Sequence, residues 1–306
     1  MYHCIVNTRA GRGSGKEWIS PIDAFMREQG KEIVFEEPKT EQEASIFAHN
    51  VCLSGSEGII GIGGDGTVQK IVTGMLQNTK KCEIPLGIIS CGSGNDLVRT
   101  FSSSAPIAKQ SDKDYLSQFL MGIIHNEHQT IDAIRINDKA CLNVANIGLD
   151  ARIVKNAKRL KKTLGGKAYL ISAFISIVQH ENLDLHIRIQ NSEKEYDING
   201  RYTLVAICNG QYYGGGMKIA PPARINDGRI TLCLISELSR LKAFRLFPTV
   251  LTEQHVHLKE VKYVECERCI ITPTNHQVDL CTDGNLSKST GSIEFEILPN
   301  AMRVIF

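Results

Sequence analysis

Three short apolar runs in the first third of the chain, YHCIVN (2–7), GIIGI (58–62) and LGII (86–89), each run into a glycine-rich turn that opens a helical pattern. The turns are AGRGSGKE (10–17), GGDGT (63–67) and SCGSGND (90–96). Apolar strands too short to be helices, alternating with amphipathic segments, are the pattern of a parallel sheet covered on both faces. A doubly wound α/β domain follows, and such sheets bind ligands at the carboxyl ends of their strands.

The segments between these runs fit that plan. Glu17–Gln29 places Trp18, Ile22, Phe25 and Met26 on one helical face, EIVF (32–35) reads as a strand, and Glu41–Leu53 reads as a helix. Gly66–Gln77 presents Val68, Ile71, Val72, Met75 and Leu76 to a core. After about residue 127 the chain turns into successive β-prone segments, among them VKYVECERCIITP (261–273) read as one strand, with helices near 150–180 and 239–247. The expected organisation is an α/β domain over 1–126, a mostly antiparallel β-sandwich over 127–291, and a final segment, 292–306, that returns to the first domain.

Charge and cysteine usage limit the partners. Lys+Arg 35 against Asp+Glu 33 gives a net charge of +2, which leaves no global field for a polyanion such as nucleic acid. Ten cysteines are scattered through 306 residues without the dense framework of a secreted scaffold, so reduced thiols in the cytoplasm are expected. The longest apolar run, AYLISAFISIV (168–178), falls short of the roughly 20 residues that cross a bilayer.

The glycine turns carry the chemistry. Gly61–Gly66 matches G-x-G-x-x-G between strand and helix, but the next strand ends in Ser90 and Cys91 rather than the acid that would hold a dinucleotide ribose. AGRGSGKE fails as a Walker motif, with Ala10 at the first glycine position and Glu17 where a hydroxyl belongs. Main-chain N–H groups of such turns still make an anion site. Two acids, Asp65 and Asp96, lie inside these turns. Carboxylates beside a polyphosphate are accounted for by a divalent cation between them, and helix N-capping is the alternative, compatible role for Asp65.

GGDGT (63–67), PLGIISCGSGNDLVRTF (85–101), APPARINDGRITL (220–232) and TDGN (282–285) together resemble the bacterial diacylglycerol-kinase-like lipid kinases, relatives of the sphingosine kinases. The resemblance implies ATP as co-substrate, Mg2+, a lipid hydroxyl as acceptor, and catalysis between the two domains. It carries nucleotide contacts onto Asn7, Thr8, Arg9, Ala10 and Gly11, onto Thr40, onto Gly64, Asp65, Gly66, Thr67, Val68, Gln69 and Lys70, and onto Ser93. It carries a structural Mg2+ onto the Asp227 side chain and the carbonyls of Arg224 and Arg229. The family's late motif is DGE, whereas this chain reads Asp283-Gly284-Asn285, and an asparagine accepts no proton at neutral pH. Asp283 is then the nearest candidate base, with Asp65 and Asp96 organising metal and water. A non-catalytic nucleotide- or lipid-binding homologue and an NAD kinase are the alternatives. The acceptor stays open among diacylglycerol, a sphingoid base and other hydroxyl lipids, and a homodimer is compatible with the sequence.

Four other features stand out. Residues 152–167 hold Arg152, Lys155, Lys158, Arg159, Lys161, Lys162 and Lys167, either a peripheral site for an anionic membrane or a solvated helix end. Cys266 and Cys269 have metal spacing but no second pair, and on one strand they face opposite sides. His255 and His257 lack a further ligand. Tyr212 and Tyr213, beside Gly214–Gly216, form a candidate lip for a lipid site.

Overall fold

The computed structural model describes residues 1–92, 94–101, 113–149, 151–156, 168–179, 181–274 and 277–306. The first half contains β1 (Tyr2–Val6), α1 (Ile19–Glu28), β2 (Ile33–Glu36), α2 (Glu41–Leu53), β3 (Gly58–Gly63), α3 (Asp65–Met75), β4 (Leu86–Ser90), α4 (Asp96–Phe101) and α5 (Lys113–Ile124). These strands pair in parallel in the order β4-β3-β1-β2. One face is covered by α2 and α3, through Ala44, Ala48, Val68, Ile71 and Val72. The other is covered by α1 and α5, through Ile22, Met26, Phe119 and Leu120. The chain leaves β1 to one side for β2 and crosses to the other for β3, so the order reverses between β1 and β3. That reversal opens a crevice at the carboxyl ends of those two strands.

The helix expected from Glu17 begins at Ile19. Residues Ala10–Trp18 instead form tight 3-10 turns in which Gly11 and Gly13 have φ of +59° and +102°, a backbone that interrupts an α-helix.

The second half consists of β5 (Gln129–Ile136), β6 (Lys139–Cys141), β7 (Val144–Gly148), α6 (Ala168–Val178), β8 (Leu183–Gln190), β9 (Glu195–Cys208), β10 (Tyr212–Tyr213), β11 (Met217–Lys218), β12 (Ile230–Ser236), α7 (Arg240–Leu251), β13 (Val261–Cys266), β14 (Arg268–Pro273), β15 (Val278–Thr282), β16 (Asn285–Ser289) and β17 (Ile293–Ile305). The pairing is antiparallel from β16 through β15, β7, β9, β8 and β14 to β17, with β12 and β13 branching from β9. Ile187, Ile207, Leu232, Ile271 and Phe295 lie in the core between these strands. The fold is therefore an α/β domain with a parallel sheet followed by a mostly antiparallel β-sandwich.

Residues 261–273 are two strands rather than one. The main-chain N–H of Glu267 donates to the carbonyl of Gln190 and to Asn191 Oδ1, which ends β13 and sends β14 to new neighbours. Cys266 and Cys269 consequently share one core instead of facing opposite sides, and both are fully buried.

The strand β17 spans both halves. Its first residues pair with β14, its length pairs with β5, and Val304 and Ile305 pair in parallel with Leu86 and Gly87 of β4. Between these stretches the register shifts at Leu298/Met302, where Asn300 adopts φ of 52° and donates its N–H to the buried carboxylate of Asp132.

Candidate active site

The three glycine turns meet at the crevice between β1 and β3. Asn7, one residue past β1, donates its N–H to the carbonyl of Ile62 and its Nδ2 to Thr67 Oγ1 at 2.8 Å. Its side-chain and main-chain oxygens accept from the N–H groups of Arg9 and Ala10, which turns the chain back over β1. Cys91, one residue past β4, donates its N–H to the carbonyl of Gly63 at 2.9 Å.

The approach is so close that side chains have no room. A Cβ on Gly92 would lie 2.7 Å from the Cα of Gly64, one on Gly64 would lie 3.1 Å from the Cα of Gly92, and one on Gly11 would lie 2.7 Å from the carbonyl oxygen of Cys91. These glycines let backbone pack on backbone, which leaves main-chain N–H groups as the lining of the crevice.

Asp65 opens α3 and Asp96 opens α4, and both carboxylates flank Gly94, whose Cβ would meet Asp65 Oδ2 at 2.8 Å and Asp96 Oδ2 at 3.2 Å. Asp65 Oδ1 accepts the N–H of Leu97 at 3.3 Å, so the acid also caps the short helix that follows the next turn. Asp96 accepts from Gly215 N–H at 2.9 Å and from Gly216 N–H at 2.7 Å, tying the first half to the β10–β11 hairpin of the second. Burial raises both carboxyls above their ordinary value, against the pull of those N–H donors; for Asp96, where the neighbouring Asp65 charge adds to burial, the value is about 6. Two acids held in one crevice and reluctant to ionise together form a hard-oxygen pair suited to a divalent cation. Close to them Asn95, at φ of 54°, buries an Oδ1 that has no partner among the described residues, 3.0 Å from a Cβ position on Gly92. This oxygen and the two carboxylates are hard donors of the kind Mg2+ takes.

Asp283 and Asn285 enter from the sandwich. Asp283 (φ 44°) and Gly284 (φ 84°) are the two residues of the tight β15–β16 hairpin, in which Thr282 pairs with Asn285, and a positive φ at both positions favours Asp-Gly. The Asp283 carboxylate points inward and accepts from the N–H groups of Leu142, Asn143 and Val144 and from Cys141 Sγ, at 2.9 to 3.3 Å. Burial nevertheless pushes it up to about 6. Asn285 Nδ2 donates to Gln69 Oε1 at 2.9 Å and to the carbonyl of Gly66 at 3.3 Å, so the sandwich touches the first turn of α3 beside Asp65.

The remaining expected contacts divide. Thr40 caps α2 by accepting the N–H of Glu43, and Lys70 Nζ lies 4.0 Å from Glu41, which brings α3 to the start of α2. Gly64, Gly66 and Thr67 line the loop. Val68 and Gln69 turn inward: Val68 is part of the core, and Gln69 donates to the carbonyl of Ala140 at 2.9 Å. Only their main chain is available to a ligand. Ser93 lies outside the described residues, as do Lys158, Arg159, Lys161, Lys162 and Lys167. Arg152 binds the carbonyl of Gln179, and Lys155 pairs with Asp279 at 2.8 Å.

Asp227 lies in an exposed turn, where its Oδ1 accepts the N–H of Arg229. Beneath it the buried Asp132 accepts from Gly228 N–H at 2.7 Å and from Asn300 N–H at 2.8 Å, fixing the turn against the β17 bulge. Asp227 would supply a hard oxygen to a divalent cation there, and Asp132 anchors the turn that carries it. Sequence reasoning missed Asp132, Asn95 and Asn143. Asn143 accepts from Thr100 Oγ1 and donates to the carbonyl of Tyr212. An acid inside the apolar strand QTIDAIRI was the available signal for Asp132. His255 is a core histidine held by Ile219 and Tyr263, and it belongs to no metal-ligating cluster among the described residues.

Comparison with known proteins places this arrangement. Residues 1–136 match the profile of the diacylglycerol kinase catalytic domain, and residues 143–306 match that of the YegS C-terminal NAD kinase beta sandwich-like domain. A protein of Citrobacter koseri named "Probable lipid kinase YegS-like" is 29% identical over 295 residues, covering 96% of this chain and 92% of its own length. "Probable lipid kinase YegS" of Salmonella schwarzengrund is 28% identical with the same coverage, 96% and 92%. A solved structure of a diacylglycerol kinase from Bacillus anthracis strain Sterne superposes with a TM-score of 0.74 at 20% identity, covering 100% of this chain and 96% of that one.

Proposed function

We propose, from the premise that the chain belongs to the YegS and diacylglycerol-kinase-like family of lipid kinases, that it transfers the γ-phosphoryl group of ATP to the hydroxyl of a lipid such as diacylglycerol. The observation that carries this reading is the backbone-to-backbone meeting of the three glycine turns, with Asp96 buried and Asp65 half-buried at their junction. The N–H groups of the turns bind phosphate oxygens, and Asn7 and Thr67 hold the first and second turns together. Asp65 and Asp96 orient hard-oxygen ligation, and a bound Mg2+ would neutralise charge on the phosphates.

Asp283 positions rather than reacts. Its carboxylate is taken up by the Cys141–Val144 segment, which orders the wall facing Asn285. Phosphoryl transfer passes through a loose transition state that depends on alignment and charge more than on a base, so the acceptor proton can leave to water or to the transferred phosphate. A side-chain base contributes about 10²- to 10⁴-fold, which sets the range of the rate given up at Asn285.

The test is incubation with γ-labelled ATP, Mg2+ and a panel of diacylglycerol, sphingoid base and phospholipid, with NAD as a further acceptor. Label in a lipid that disappears with Asp65→Ala supports the reading. Label in NAD alone, or in no acceptor, overturns it. Asn285 favours one second reading, a homologue that binds nucleotide without turnover. Under it nucleotide binds, no acceptor is labelled, and Asn285→Glu creates activity.

A further inference from the structure

All ten cysteines are free thiols, and two of them meet at the edge of the first half. Cys52, in the last turn of α2, and Cys82, ahead of β4, bring their sulfurs to 3.6 Å. The main chain on each side holds this contact. The helix α2 buries Ala44, Ala48 and Val51 in the core it shares with α3, and Cys82 donates its N–H to the carbonyl of Ala301 in β17 at 2.9 Å. Solvent reaches the pair. Cys52 is half-buried beside Leu53, which is 73% exposed, and Cys82 keeps 7% exposure. Cys266 and Cys269, by contrast, lie inside the sandwich core at 0%.

The two thiols are not equivalent. The Cys52 thiol donates to Cys82 and pulls it below the ordinary thiol value, to about 7, with the N–H of Ile84 and the Arg303 guanidinium assisting, against burial and the charge of Glu83. The same contact pushes Cys52 up. One sulfur is thus disposed to be the thiolate and its neighbour to remain the thiol, an asymmetry found where one cysteine attacks and a second resolves.

We infer that Cys52 and Cys82 form a peroxide-reactive dithiol whose disulfide closes β3 and α3 into a covalent loop. The Cys82 thiolate attacks one oxygen of the peroxide, the O–O bond breaks, and the departing hydroxide takes up a proton as water, leaving a sulfenic acid on Cys82. Cys52 then gives up its proton and attacks the Cys82 sulfur. The S–S bond forms as the S–O bond breaks, and the hydroxide leaves with that proton as a second water. Two thiols and one peroxide become one disulfide and two waters; the sulfurs are oxidised and the peroxide oxygens reduced. The new bond encloses β3, the GGDGT turn and α3 with Asp65 in its first turn. Cross-linking such a span removes freedom from the unfolded chain, so the oxidised protein is the more stable form. This inference goes beyond the lipid-kinase reading, since neither nucleotide nor lipid enters it.

In the test, the folded full chain is exposed to hydrogen peroxide, its remaining thiols are alkylated after unfolding, and the digest is read by mass spectrometry. The expected product is a pair of peptides joined through Cys52 and Cys82, lighter by two hydrogens than the two peptides apart and separated again by dithiothreitol, with the other cysteines alkylated. Oxidation should raise the thermal midpoint by several degrees. Cys52→Ser, a change at a half-buried helix end, should match the reduced native chain and show no such rise. Cys52 and Cys82 both alkylated after peroxide, Cys82 carried on to sulfinic acid, a pair joined only when peroxide is added in denaturant, or a link between Cys266 and Cys269 in its place would each overturn the inference. A Cys52–Cys82 link without a higher midpoint would overturn the stabilised loop.

Discussion

The carboxylate of Asp96, in the first half of the chain, accepts hydrogen bonds from the main-chain N–H of Gly216 at 2.7 Å and of Gly215 at 2.9 Å, in the second. One acid thus stands both beside the glycine turns of the candidate site and as the clasp between the halves. Replacement by alanine removes a charged acceptor from two N–H groups, at a cost of about 1 to 3 kcal/mol. Asp96→Ala should lower the thermal midpoint by several degrees and reduce phosphoryl transfer more than nucleotide affinity. Activity that falls only in proportion to nucleotide binding would assign Asp96 to the nucleotide alone.

The contact of Gly64 with Gly92 makes a sharper prediction. Because a Cβ on Gly92 falls 2.7 Å from the Cα of Gly64, Gly92→Ala has to separate two turns whose partners are backbone. Nucleotide affinity, measured by calorimetric titration, should fall by tenfold or more. Gly13→Ala is the control: its Cβ meets nothing within 4 Å, although φ of +102° strains the substitution, so it should affect stability more than affinity.

Asp283 should matter to folding before it matters to chemistry. Its removal leaves the buried N–H groups of Leu142, Asn143 and Val144 without an acceptor and places alanine at φ of 44°. Asp283→Ala should cost about 3 kcal/mol or more in denaturant unfolding, and Asp283→Asn should cost less. Asn285→Glu should raise turnover without changing nucleotide affinity if the residue that meets Gly66 and Gln69 takes the acceptor proton. A loss of turnover in Asn285→Glu would mean that the bond to Gln69 is required.

Protons should trade against metal. Asp96 and Asp283 each have a folded value of about 6, above the ordinary carboxyl value they regain on unfolding. The folded protein therefore retains protons that the unfolded chain has released. The stability linked to these protons is full below the unfolded value and is lost as pH rises through about 6. Without added metal the thermal midpoint should fall across that interval, and Mg2+ with nucleotide should restore most at the higher pH. A magnesium-nucleotide stabilisation independent of pH would separate Asp96 from the metal.

The sequence disclosed those parts of the fold that depend on local pattern. Helix 41–53 was legible because Thr40 and Glu43 cap an apolar periodicity, and the turns were legible because strand ends and glycines coincide. The joint at Glu267 was hidden, since the strand breaks where Gln190 and Asn191, remote in sequence, take its N–H. Val68 and Gln69 show the same limit within the site. Their place just after a glycine turn was readable, whereas the inward turn of their side chains depends on the core and on Ala140. The roles of Asp132 and Asn143 likewise exist only once distant turns are brought together.

The two residues by which β17 joins β4 have a bearing on biogenesis. Val304 and Ile305 fill the place beside Leu86 and Gly87, so the amino-terminal sheet has an open edge until those residues have been synthesised. A nascent chain therefore carries the β4 side of that sheet uncovered until β17 has emerged, long after the parallel strands themselves have been made.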